Sequence, residues 1–210
     1  MHNLALIALH TGNATAAERL LRRATALDPD MAEAHSNLGL ALDRLGKNRD
    51  ARAAFERAVT LRPDYAEAWS NLAIRDQVDG QTEAAIARFR RALAAAPERT
   101  EIAANLGAAL VEDGAAEEGA AVLERALARA PRSSVIHFNL GKARFVQGAL
   151  ELAIQHFRRA IELDPEFADA HHTLAHALLA AGRLEEGWRE YQWRWRAKSR
   201  QGGDIRPSRL

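Results

Sequence analysis

A proline stands at Pro29, Pro63, Pro97, Pro131 and Pro165, each 34 residues from the last. The same period carries Leu4, Leu38, Leu72, Leu106, Leu140 and Leu174, each followed by a small residue: Ala5, Gly39, Ala73, Gly107, Gly141 and Ala175. Seven residues beyond each small residue comes a glycine, at Gly12, Gly46, Gly80, Gly114, Gly148 and Gly182. Landmarks that recur together at one period mark a repeat array, in which each unit buries its apolar side against its neighbours. The core of such a chain is thin and continuous, so a length of 210 residues does not count its domains.

The unit from Ala32 to Tyr65 shows the local logic. Ala34, Leu38, Ala41, Leu42 and Leu45 fall on one helical stripe, and Gly46 ends that helix where a left-handed residue is needed. A second helix is expected over Asn48 to Leu61, with Ala51, Phe55, Ala58 and Leu61 on one side. Pro63 stops it, because proline lacks the N–H and disfavours helix in the residue before it. Gly39 and Ala51 let the two helices approach closely, and Phe55 fills the space beyond them.

This pattern resembles the tetratricopeptide repeat (TPR). In the third unit the residues that carry the resemblance are Trp69, Leu72, Ala73, Ala85, Phe89 and Pro97; in the fifth they are His137, Leu140, Gly141, Ala153, Phe157 and Pro165. The resemblance implies an all-α, right-handed solenoid of helix-turn-helix repeats. Its expected boundaries are 1–31 (an incomplete first repeat), 32–65, 66–99, 100–133, 134–167 and 168–198, with 199–210 a disordered tail. Leu123 replaces the phenylalanine in the fourth repeat, while Gly187 and Tyr191 take the small and aromatic positions in the sixth. Asp76 and Arg144 stand where the pattern expects an aromatic or leucine, so weaker inter-helix contacts are expected there. Leu4 to Leu9, LALIAL, lacks the polar face of a terminal repeat. Either that edge is exposed or the chain is a fragment that has lost an upstream segment.

Composition excludes more than it identifies. The charged fraction is 27% and the net charge only +1, which gives no bulk attraction to nucleic acid or acidic membranes. There is no cysteine, hence no disulfide and no thiolate chemistry. No apolar run reaches membrane-spanning length, and the first residues lack the basic region of a signal peptide. The expected location is cytoplasmic. No phosphate loop, dinucleotide fingerprint, HExxH or GxSxG occurs, so neither an enzyme nor a cofactor is expected.

A second ladder is polar. Asn3, Asn37, Asn71, Asn105 and Asn139 recur at the same period, with Thr173 on the sixth rung. Asparagine inside a helix is worse than alanine by roughly 0.5–0.7 kcal/mol, so five of them need a reason. In TPR proteins the first helices line the concave groove, and an amide there can hold the backbone of an extended peptide. The ladder is similar to that in the TPR arm of O-linked N-acetylglucosamine transferases; the structural alternative is that duplication simply copied it. Other candidate peptide-binding residues are Ser36, Ser70, Phe138 and His172 one position earlier, and Lys142 and His176 one helical turn on. With Leu40, Ile74, Ala104 and Ala108 they make an apolar N-terminal part and an aromatic, cationic C-terminal part.

Asp169, His172 and His176 share a helix face with metal-compatible spacing, but without an obvious fourth ligand they read as groove polar residues. His137 and His171 take the tryptophan position of the pattern and read as partly buried packing residues. Arg23, Arg57, Arg91, Arg125 and Arg159 recur on the second helices and read as a solvated face. In GRLEEGWREYQWRWR, the spacing of Trp188, Tyr191 and Trp195 makes a capping stripe that leaves Trp193 outside. This segment is similar to the last repeat of bacterial proteins in which a TPR array precedes a glycosyltransferase-like domain. The expected function is a non-catalytic scaffold that binds a protein or peptide in its groove. The alternatives are the recruiting arm of a glycosyltransferase, or a structural protein that self-associates through LALIAL or Trp193.

Overall fold

The structure, a computed structural model, describes residues 1–193. Over these residues the chain is all-α, with twelve helices and no strand, and has the expected helix-turn-helix solenoid architecture. The helices come in pairs, one pair per repeat: α1 (His2–His10) with α2 (Ala14–Leu27), α3 (Ala32–Arg44) with α4 (Asn48–Leu61), and α5 (Ala66–Val78) with α6 (Thr82–Ala95). They continue as α7 (Thr100–Glu112) with α8 (Ala116–Arg129), α9 (Ser134–Val146) with α10 (Leu150–Leu163), and α11 (Ala168–Ala180) with α12 (Leu184–Tyr191). The contacts divide the chain into two compact units, Met1–Ile102 and Ala103–Leu210. The tail at 199–210 and the end of the sixth repeat, with Trp195, lie outside the described residues.

The turns follow from glycine chemistry. After α3, Gly46 sits at φ +70°, a conformation open to it because it has no side chain. Lys47 N–H then bonds the carbonyl of Leu42 and Gly46 N–H that of Asp43, the paired bonds of a Schellman motif. Within the hairpins, glycine serves a second purpose. A Cβ on Gly39 would stand 2.5 Å from the Phe55 ring, and one on Gly141 2.5 Å from Phe157. Gly107 stands equally close to Leu123, the aliphatic replacement in the fourth repeat. Phe55 and Phe157 are fully buried against these glycines, and Phe89 of the third repeat is fully buried too. Gly141→Ala is therefore expected to cost about 1–3 kcal/mol through overpacking, read as a lower urea midpoint. An unchanged midpoint would show that Phe157 has room to swing aside.

The weak contacts expected at Asp76 and Arg144 are corrected here. Asp76 does not leave a weak contact: it is completely buried, with Arg52 Nη1 of α4 2.7 Å from Oδ1 and Arg88 Nη1 of α6 3.1 Å from Oδ2. The cluster extends through Asp79, 2.9 Å from Arg52, and Arg75, which bonds Asp43 of α3 at 2.6 Å. The Arg52 guanidinium holds the Asp79 carboxyl below its usual range, and Asp43 raises Arg75 further. Ion pairing between repeats thus replaces the expected apolar contact. Arg144 does the same on a smaller scale, bonding Glu124 of α8 and, at 2.8 Å, Gln147. Leu4, in LALIAL, is 59% exposed, whereas Leu38, Leu72, Leu106, Leu140 and Leu174 in the same register are buried.

Candidate peptide-binding site

The junction between repeats is held by a bond that begins at the periodic proline. Proline has no N–H, but its carbonyl remains an acceptor. His35 Nε2 lies 2.9 Å from the carbonyl of Pro29, and Trp69 Nε1–H donates to that of Pro63 at 2.9 Å. His137 and His171 repeat the arrangement with Pro131 and Pro165, at 3.3 and 3.1 Å. The tryptophan position therefore accepts any planar ring with a nitrogen donor at that edge. His137 and His171 are buried, more deeply than a partly exposed packing role requires. The six-residue offset from the proline was present in the sequence, but packing alone did not single it out.

These joints place the first helices side by side within each unit, and the asparagines lie along them. Asn37 on α3, Asn71 on α5 and Asn105 on α7 are half-buried, and their side-chain amides make no hydrogen bond to any described residue. Asn139 differs: it is buried, and its Nδ2–H donates to the Ala104 carbonyl of α7 at 3.4 Å. Thr173 turns its hydroxyl back to the Asp169 carbonyl of its own helix at 2.8 Å. Asn3 is exposed on α1. Identical letters thus do different work on successive rungs.

The neighbouring positions also divide. Ser36 and Ser70 are buried, and the Tyr65 hydroxyl is pushed towards higher pKa mainly by its burial, which Ser36 opposes. Leu40 is half-buried, while Ile74 and Val78 on α5 are exposed. Beside this strip, Glu33 is paired with Arg62, which lowers the Glu33 carboxyl below its usual range, and Glu67 with Arg99 at 2.7 Å. In the second unit Phe138 packs 4.9 Å from Phe167, with Lys142 over its ring at 5.9 Å. Lys142 is also paired with Glu112 at 3.2 Å. His172 and His176 meet edge to face at 4.5 Å, and each lies 5.8 Å from Tyr191. Among the described residues no group of three His, Cys, Asp or Glu is placed to hold a metal ion, and no helix is long and apolar enough to cross a membrane.

The second helices carry the arginine ladder. Arg23, Arg57, Arg91, Arg125 and Arg159 are all exposed. Arg57 pairs with Asp30 at 3.1 Å, and Arg91 covers the Trp69 ring at 4.9 Å. At the far end the expected capping stripe is corrected. Trp188 is 59% exposed, whereas Trp193 stacks on His171 with ring centres 3.9 Å apart and planes within 3°. The helix ends at Tyr191, so Trp193 leaves the helical stripe and folds back.

Comparison with known proteins agrees with this architecture. Models of the tetratricopeptide repeat match residues 2–66, 38–74 and 79–144, and a TPR repeat model matches 141–182. No curated protein matches the chain. Among solved structures, PilW, a type IV pilus biogenesis factor, superposes with a TM-score of 0.82 at 21% identity, covering 90% of this chain and 88% of its own. YrrB, described as a TPR protein with an unusual peptide-binding site, gives 0.67 at 21%, covering 82% of this chain and 89% of its own. MamA from Desulfovibrio magneticus RS-1 gives 0.69 at 20%, covering 82% and 97%. At these identities the likeness shows the fold alone. The resemblance to glycosyltransferase arms gains no support from these matches. The chain belongs to the tetratricopeptide-repeat family.

Proposed function

We propose that the chain is a non-catalytic interaction module that holds an extended peptide segment of a partner protein on the face of its first helices. The observation that carries this reading is the set Asn37, Asn71 and Asn105: half-buried amides, one per repeat, with no hydrogen bond to any described residue. A primary amide offers both donors and an acceptor, which matches a peptide backbone whatever its side chains. Ile74, Val78 and Leu40 give apolar side chains a seat in the first unit. Phe138, Lys142, His172 and His176 offer aromatic and cationic contacts in the second. YrrB, with its peptide-binding site, lends the reading support by fold.

Replacing Asn37, Asn71 and Asn105 together with alanine is expected to leave the melting temperature unchanged or slightly higher, because alanine is the better helix former. Capture of partner peptides, measured with an immobilised peptide array, is expected to fall. Asn139→Ala serves as the contrast, losing a buried hydrogen bond worth about 0.5–1.5 kcal/mol. A triple variant that melts early yet binds normally per folded molecule would make the ladder structural.

A second reading, self-association, draws on the exposed Met1, Leu4 and Ile7 of α1. Sedimentation over a concentration series, with Ile7→Glu as the control, separates it from peptide binding.

A further inference from the structure

His137 and His156 face each other across the α9–α10 hairpin with their Nδ1 atoms 3.1 Å apart. Their ring centres are 5.4 Å apart, the N···N separation plus the two ring radii. The nitrogens therefore point at each other, as in a hydrogen bond, and not jointly at a third point, as two ligands of one metal ion do. This geometry also places the protons. His137 Nε2 faces the Pro131 carbonyl oxygen, which can only accept, so Nε2 carries the hydrogen of the neutral ring. His137 Nδ1 is then an acceptor, and His156 Nδ1–H donates to it. One added proton is shared, because His156 can move its hydrogen to Nε2 and accept at Nδ1; charging both rings sets two N–H groups head to head.

We propose that this pair is an acid-sensitive latch, which holds α9 against α10 while at least one of the two rings is neutral and loosens that hairpin when acid charges both. The charged side chains around the pair do not offset this. Glu124 of α8 is paired with Arg144 of α9, and Arg159 with Glu162, both on α10. Burial is the main cause that lowers the pKa of both rings; Arg159 adds to it at His137, while the Pro131 carbonyl and Glu162 oppose it. At His156, His137 and Arg144 add and Glu124 opposes. A histidine whose folded pKa lies below its ordinary 6.5 gives stability that is full above that value. That stability is lost as pH falls from there to the depressed value, because the unfolded chain then binds more protons.

The sixth repeat supplies an internal control. His171 and Glu190 occupy the same two positions, 19 residues apart like His137 and His156, with Nδ1 and Oε2 2.5 Å apart. His171 Nε2 faces the Pro165 carbonyl, so both of its nitrogens meet oxygen acceptors, which a doubly protonated ring satisfies. His156→Glu copies that arrangement into the fifth repeat.

The test is amide exchange on the full chain, corrected for intrinsic rates, together with NMR titration of the histidine rings. Between about pH 7.5 and about pH 5, α9 and α10 of the wild type are expected to open more often. The expected factor is about tenfold for each unit by which a ring's pKa is depressed. His156→Glu is expected to abolish or reverse that response. The ring titrations of the wild type decide the matter even if the variant does not fold. Rings that titrate in the ordinary histidine range, or α9 and α10 exchange that does not respond to pH, would overturn the proposal.

Discussion

Phe89→Ala is expected to destabilise the first compact unit by about 3–5 kcal/mol. Phe89 is fully buried at the aromatic position of the third repeat. The loss should also change the shape of unfolding. Repeats couple mainly to their neighbours, so weakening a central one separates those on either side, and a second transition should appear in urea. Trp69, the only tryptophan in residues 1–102, reports on the altered repeat by fluorescence. A single transition with little loss of stability would count against the packing described here.

Asp76→Ala is expected to cost about 2–4 kcal/mol, near the lower part of what removing one partner of a buried ion pair costs. The carboxylate is wholly buried, so its removal leaves Arg52 and Arg88 without the charge they share. Both arginines are about a quarter exposed, which lets water screen part of their charge. Changing Asp76, Arg52 and Arg88 together to leucine should restore most of the stability, since a packed apolar group replaces a buried ion cluster at little cost. Urea denaturation of the single and triple variants measures both. A single variant as stable as the wild type would show that the arginines find other partners.

The period made the helices legible almost residue by residue. The expected second helix, Asn48 to Leu61, is α4 itself, and the pairing of Gly39 with Phe55 followed from size alone. What stayed hidden depended on partners far away in sequence. Asp76 looked like a defect because its counter-charges, Arg52 and Arg88, lie 24 residues before it and 12 after it, on two other helices. Trp193 was misplaced because a helical stripe assumes a helix, and α12 ends two residues earlier. In the candidate site, the letters of the asparagine ladder were plain, but its burial was not. Asn139 is taken up by the Ala104 carbonyl, while Asn37, Asn71 and Asn105 bond to no described residue, and no single position distinguishes them.

The bond between each proline carbonyl and the ring six residues later bears on how the chain folds. It closes over a single turn of connector, so a hairpin can take its angle to the next one before either has found a distant partner. Most of the remaining inter-helix bonds span fewer than 36 residues, about one repeat. A chain wired so locally has little loop entropy to overcome, and such topologies fold in microseconds to milliseconds. Assembly can start at whichever hairpin forms first and spread outwards, in step with synthesis from the N-terminus.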